Sequence, residues 1–226
     1  MAPNRRAFLI STAGALATAG LPAAAPAANQ KARMPASAAL KNLMDGNVRF
    51  VTGKTVSHPT VAGVRELASG QSPFAIVLAC ADSRVPVETL FDHEPGDIFV
   101  VRLAGNFVSD AALGSIEYAA AVLKSPLVMV LGHTSCGAVQ AAVDGVQTGK
   151  KFPGHIQILA DAIEPAAKAV EHEHGDWVHN AVIENVRLNV RKLKESQPIM
   201  AEAVKARELE VVGAVYDLRT GAVQLV

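Results

Sequence analysis

The chain reads as an α/β protein, with a mostly parallel sheet of four to five strands flanked by helices. Three observations carry that expectation. Short apolar-rich runs recur at residues 74–79, 98–103, 127–131 and 209–216, unbroken in the first and third, the length of strands buried on both faces. Longer segments with apolar residues at helical spacing lie between them, and strands alternating with helices make a parallel sheet under helical layers. Two of the runs end in clusters of polar, metal-competent side chains, and sites in open α/β sheets are built at the carboxyl ends of strands.

The elements follow in order. Arg5 and Arg6 open a basic segment, an Ala-rich apolar stretch covers 8–21, and small residues fill 22–28. A basic start, a short apolar region and an A-x-A-like site predict a secretory signal peptide over 1–27, cleaved after Ala27. The adjacent arginines followed by Phe8-Leu9 resemble a twin-arginine export signal, so the expected destination is the periplasm. The apolar stretch is shorter than the about 20 residues a membrane span needs. Residues 28–36 read as linker and 37–226 as one domain. In that domain 37–50 sets Leu40, Leu43, Met44, Val48 and Phe50 at near-helical spacing, with Ser37 as N-cap. Segment 61–68 is a second short helix and 86–91 a helical turn. Residues 110–123, the segment from Gly137 to near Gly145, 156–170 and 177–195 are further helices. A tight turn at 217–221 leads into a last strand, 222–226, an antiparallel edge.

Composition excludes several classes. Apolar residues at 50% against 19% charged fit a packed core and are too apolar for disorder. The formal net charge is zero, and no long basic run marks a nucleic-acid or anionic-membrane partner. No glycine-rich phosphate-binding pattern supports a nucleotide.

The chemistry gathers at two strand ends. Cys80, Asp82, Ser83 and Arg84 follow the first run; His133, Cys136 and Gly137 follow the third. Two thiolates and one imidazole form a recognised catalytic zinc set, because three protein ligands leave a fourth position open. Cys80, His133 and Cys136 supply it, once the parallel sheet brings the two strand ends together. In an oxidising compartment the bland alternative is a single disulfide between the two cysteines. Asp82 either takes the fourth position or accepts a hydrogen bond there, and Arg84 can hold its carboxylate in a bidentate pair. The cluster His172, His174 and His179 near acidic residues reads as a solvated helix junction in preference to a second metal site.

Cys80-Ala81-Asp82-Ser83-Arg84, with His133-Thr134-Ser135-Cys136-Gly137 roughly fifty residues further on, resembles the β-class carbonic anhydrases. The segments 70–73, 99–106, 114–118 and 212–217 also resemble that family, in its order. The resemblance implies one zinc per chain on Cys80, His133 and Cys136, and Asp82 with Arg84 as a catalytic dyad. It implies a small substrate pocket lined by Gln71, Phe99, Tyr118 and Gly137, with Gln71 donating to bicarbonate. Part of that lining would come from a partner subunit, so a homodimer or a larger homo-oligomer is expected. The implied reaction is reversible hydration of carbon dioxide to bicarbonate and a proton. Zinc would lower the pKa of a bound water from about 15.7 to near 7, and the dyad would orient the resulting hydroxide. Two other readings use the same site: a hydrolase of carbonyl sulfide or carbon disulfide, and a non-catalytic zinc-binding protein of this fold.

Overall fold

The computed structural model describes residues 34–226; the expected signal peptide and most of the linker lie outside the described residues. A five-stranded sheet has the order β2-β1-β3-β4-β5. Its strands are β1 (Ala75–Ala79), β2 (Ile98–Arg102), β3 (Leu127–His133), β4 (Glu210–Tyr216) and β5 (Val223–Leu225). The first four are mutually parallel and β5 is the expected antiparallel edge. Helices α1 (Ala36–Val51), α2 (Val61–Glu66), α3 (Val87–Leu90) and α4 (Asp110–Ala121) come before β3, with a 3-10 turn at Leu67–Ser69. Helices α5 (Gly137–Thr148), α6 (Ile156–Ala169), α7 (Trp177–Glu195) and α8 (Ile199–Lys205) separate β3 from β4.

Strand period two divides the core into two layers. Ile76, Leu78, Val128 and Val130 face one way, with Ile116, Val139, Ile163, Val182 and Val186 of helices α4 to α7. Ala75, Val77, Leu127, Met129 and Leu131 face the other way, with Leu43 of α1 and Leu90 of α3. Every residue of β1 and β3 is buried, which is why both read as continuous apolar runs without alternation.

The strand order fixes where chemistry can occur. The connection after β1 leads to β2 on one side, and the connection after β2 returns across the sheet to β3 on the other side. The order therefore reverses between β1 and β3, and a crevice opens at their carboxyl ends. Register aligns Ala79 with Leu131, so Cys80 emerges beside the last turn of chain before His133.

Three details differ from the expectations. Helix α1 begins at Ala36 behind Pro35, so Ser37 lies in its first turn and caps nothing; the fixed φ of proline sets the boundary. Helix α8 was not expected, because its seven residues are too few to display periodicity. Strand β3 runs on through Gly132 and His133, where its pairing with Val215 and Tyr216 of β4 extends it.

Candidate metal centre

Cys80 follows β1, His133 ends β3, and Cys136 directly precedes α5, all three buried. One ligand atom from each lies within 4.8 Å of the others, and this is the one such histidine, cysteine or carboxylate cluster among the described residues. The two sulfurs are 3.9 Å apart and both cysteines are free. The disulfide alternative is therefore not what the structure shows. At His133 the Nδ1 hydrogen donates to the Thr134 carbonyl at 2.9 Å, which fixes the tautomer and turns the Nε2 lone pair inward. That Nε2 is buried and has no hydrogen-bond partner. An orphaned buried imidazole nitrogen facing two thiols is the donor set of a zinc or similarly soft cation.

The electrostatics agree. The hydrogen bond to Cys136, with His133 and the Gly105 amide, pulls the Cys80 thiol below its ordinary value against the opposing effect of burial. Cys136 moves the other way, raised by the adjacent Cys80 sulfur and by burial.

Asp82 and Arg84 form the bidentate pair that the spacing suggested. Arg84 Nε donates to Asp82 Oδ1 at 2.9 Å and Nη2 to Oδ2 at 2.8 Å, and the Arg84 amide also reaches Oδ1 at 2.9 Å. These bonds hold the Asp82 carboxyl well below the usual carboxylate range. Oδ2 stands 3.9 Å from His133 Nε2, so the carboxylate borders the ligand position while Arg84 occupies both its oxygens. Arg84 Nη2 also reaches the Ser135 carbonyl at 3.4 Å, linking the two ligand-bearing loops.

One contributor received no role from the sequence. Arg102, at the end of β2, donates from Nε to the Cys80 carbonyl at 3.0 Å and from Nη2 to the Asp82 carbonyl at 2.6 Å. It clamps the backbone that presents both the thiol and the acid. Its place near the end of the 98–103 run, inside the 99–106 segment that resembles the family, is the sequence feature that points to it.

The four pocket residues do not assemble in one chain. Gly137 opens α5 beside Cys136. Phe99 and Tyr118 face each other with ring centroids 6.4 Å apart, and Tyr118 is 48% exposed. Gln71 is exposed ahead of the amino end of β1, whereas Cys80 follows its carboxyl end. The five residues of β1 alone put about 13 Å between those ends, at about 3.3 Å per residue. Phe99 pairs with Ile76, so it too sits toward the amino end. A cleft of about 570 Å³ borders the ligand loop on its other flank, lined by Ser135, Cys136, Gln140, His179 and Arg219 among others. His172 and His174 belong to no ligand cluster among the described residues.

These features define a class: a mostly parallel α/β sheet carrying at its switch point a Cys2His cluster that could hold a metal ion, with a carboxylate–guanidinium pair beside it. Comparison with known proteins specifies the family. The model described as "Carbonic anhydrase" matches residues 75–223. A carbonic anhydrase of Mycolicibacterium smegmatis is 40% identical over 191 residues, 83% of this chain and 92% of that one. Carbonic anhydrase 2 of Mycobacterium tuberculosis is 39% identical over 186 residues, 81% of this chain and 89% of that one. Among solved structures, a tetrameric β-carbonic anhydrase of Sordaria macrospora superposes with a TM-score of 0.65 at 27% identity, covering 72% of this chain and 85% of that one. A Coccomyxa β-carbonic anhydrase in complex with acetazolamide gives 0.63 at 30% identity, covering 72% and 75%. The chain belongs to the β-class carbonic anhydrases and is a carbonic anhydrase enzyme.

Proposed function

We propose that the chain hydrates carbon dioxide reversibly on one zinc ion held by Cys80, His133 and Cys136, with Asp82 and Arg84 as the dyad. The observation that carries the reading is the buried, unpartnered His133 Nε2 facing two free thiols, with a carboxylate 3.9 Å away. Zinc in that position supplies a Lewis acid that makes a hydroxide nucleophile available near neutral pH. The protein's part is orientation. Asp82, kept ionised and fixed by two Arg84 bonds, accepts a hydrogen bond from the attacking oxygen and aims its lone pair at the carbon. Arg102 fixes the backbone carbonyls on either side of Ala81 and so holds thiolate and acid in register. Replacing Asp82 by Asn keeps the side chain's shape but weakens it as an acceptor. Asp82→Asn is expected to retain one zinc per chain, measured by elemental analysis, and to lose roughly a hundredfold in kcat/KM; unchanged turnover would remove the dyad from the mechanism. The carbonyl sulfide and carbon disulfide reading uses the same centre, and assays with those substrates separate it. A non-catalytic zinc protein would have no use for the fixed acid–guanidinium pair.

The separation of Gln71, Phe99 and Tyr118 from the ligand cluster supports a site completed between subunits, with Gln71 of a partner donating to bicarbonate. Exposed Val56, Val61, Val64 and Leu67 in and around α2 supply apolar surface for such a homodimer or larger assembly, and the Sordaria relatives are tetrameric. Among the described residues, no helix is long and apolar enough to cross a membrane. The basic and Ala-rich start supports export through a twin-arginine signal to the periplasm; mass spectrometry of periplasmic protein should find Ala28 at the N-terminus, and an intact chain there would refute cleavage.

A further inference from the structure

Two asparagines of α7 sit in the apolar layer under the ligand loops: Asn185 is 2% exposed and Asn189 is 6%. A buried amide costs free energy unless its hydrogen bonds are made, and here they converge on one short segment. Asn185 Nδ2 donates to the Gly105 carbonyl at 2.9 Å. Asn189 Oδ1 accepts from the Val108 amide at 2.7 Å, and its Nδ2 donates back to the Asn185 carbonyl at 2.8 Å. Lys192 Nζ donates to the Val108 carbonyl at 2.7 Å. The segment is thus tied to α7 at both ends. Its other contact is with the site: the Gly105 amide donates to Cys80 Sγ at 3.2 Å. Gly105 has φ +83°, and a Cβ there would meet Ile163 Cδ1 at 2.3 Å; Asn106 follows with φ 41°. Glycine and asparagine suit that backbone, and Asn185 is the side chain that bonds to the Gly105 carbonyl.

We propose that Asn185 is a positioning residue for the metal centre: by fixing the Gly105 carbonyl it sets the Gly105 N–H hydrogen bond to the Cys80 sulfur. An N–H aimed at a thiolate withdraws electron density from it, so the bond tunes how strongly Cys80 donates to a cation. This rests on the reading of Cys80, His133 and Cys136 as ligands. A purely structural role, stitching α7 to a loop, would leave the sulfur's electronic state unchanged.

The test uses the full protein loaded with Co2+, in wild type and in Asn185→Ser and Asn185→Leu. Leucine keeps the volume and serine admits water, so the pair covers opposite folding risks. The wild type should hold one cobalt per chain and show a thiolate-to-cobalt charge-transfer band. Loss of the N–H donor raises the sulfur lone-pair energy, so the band should move to longer wavelength in each folded variant, with the cobalt retained. The Gly105 amide should also exchange at least tenfold faster there than in the wild type. A wild type without the band overturns the ligand reading itself. A wild-type band that stays in place in the folded variants overturns the positioning role alone. In 113Cd-loaded wild type, the Gly105 amide proton should show through-bond coupling to the metal; its absence overturns the proposal without recourse to any variant.

Discussion

At the scale of single residues the site depends on which atoms are satisfied and which are not. Arg84 satisfies Asp82 three times over, and His133 Nε2 is left with nothing. The first fact has a pH consequence. Because the folded-state pKa of Asp82 is depressed, the stabilisation it brings is complete above the unfolded value of about 3.9 and is lost as pH falls through the lower folded value. The dyad therefore stays ionised from pH 5 upward, and a change in activity above that pH belongs to another group. Arg84→Gln should return the Asp82 carboxyl toward about 3.9, read from its 13C shift in a pH titration. A carboxyl that titrated unchanged in the variant would contradict Arg84 as the cause. The clustering of Cys80, His133 and Cys136 and the Asp82–Arg84 pairing were legible in sequence because each sits next to an apolar run that ends abruptly. Arg102 stood only inside the resembling 99–106 segment and its role was not legible, because its two bonds go to backbone carbonyls, which leave no trace in residue type. Asn185 and Asn189 fall in one helical row with Ala181 and Leu193, but their partners on the 105–108 segment are set by the packing alone.

At the scale of elements, α7 approaches the sheet closely because two strands present glycine beneath it. A Cβ on Gly132 would lie 2.7 Å from Val186 Cγ2, and one on Gly213 would lie 2.6 Å from Val186 Cγ1. Gly132 immediately precedes His133, so this close approach lies next to the ligand-bearing end of β3. Gly213→Ala is expected to overpack the contact and cost about 1–3 kcal/mol, seen as a lower urea midpoint at unchanged slope; an unaltered midpoint would show that α7 yields without cost. On the opposite face Asn47 of α1, 4% exposed, bonds to the carbonyls of Leu90 and Gly221 and to the Val223 amide. Periodicity placed α1 and sets Asn47 on its apolar face, four residues after Leu43, but could not reveal that stitch, because its partners come from distant segments. The strands were legible throughout, since both faces of β1 and β3 are covered and leave only apolar positions.

At the scale of the whole molecule, the reversal of strand order between β1 and β3 explains why Cys80 and His133 meet. The same parallel arrangement leaves Gln71 at the opposite end of β1. Sequence resemblance supplied the four lining residues but not this separation, which depends on strand length and direction. If the lining comes from a second copy, two inactive chains should complement each other. Mixing Gln71→Ala with Cys136→Ser chains and allowing subunit exchange gives heterodimers in which one site of the two is wholly native. For random pairing of dimers, activity should rise to about a quarter of the wild-type value. Activity that stayed at the level of the separate variants would assign Gln71 either to its own chain's site or to no site.

The central claim is that a zinc ion on Cys80, His133 and Cys136 hydrates carbon dioxide, and stopped-flow hydration on metal-quantified mature protein tests it most directly. The assay spans pH 6 to 9, with and without a chelator. The account predicts turnover proportional to zinc up to one ion per chain, abolished by the chelator and restored by zinc. A full zinc complement with no hydration at any pH would contradict it and leave the non-catalytic or sulfur-substrate readings of the same centre.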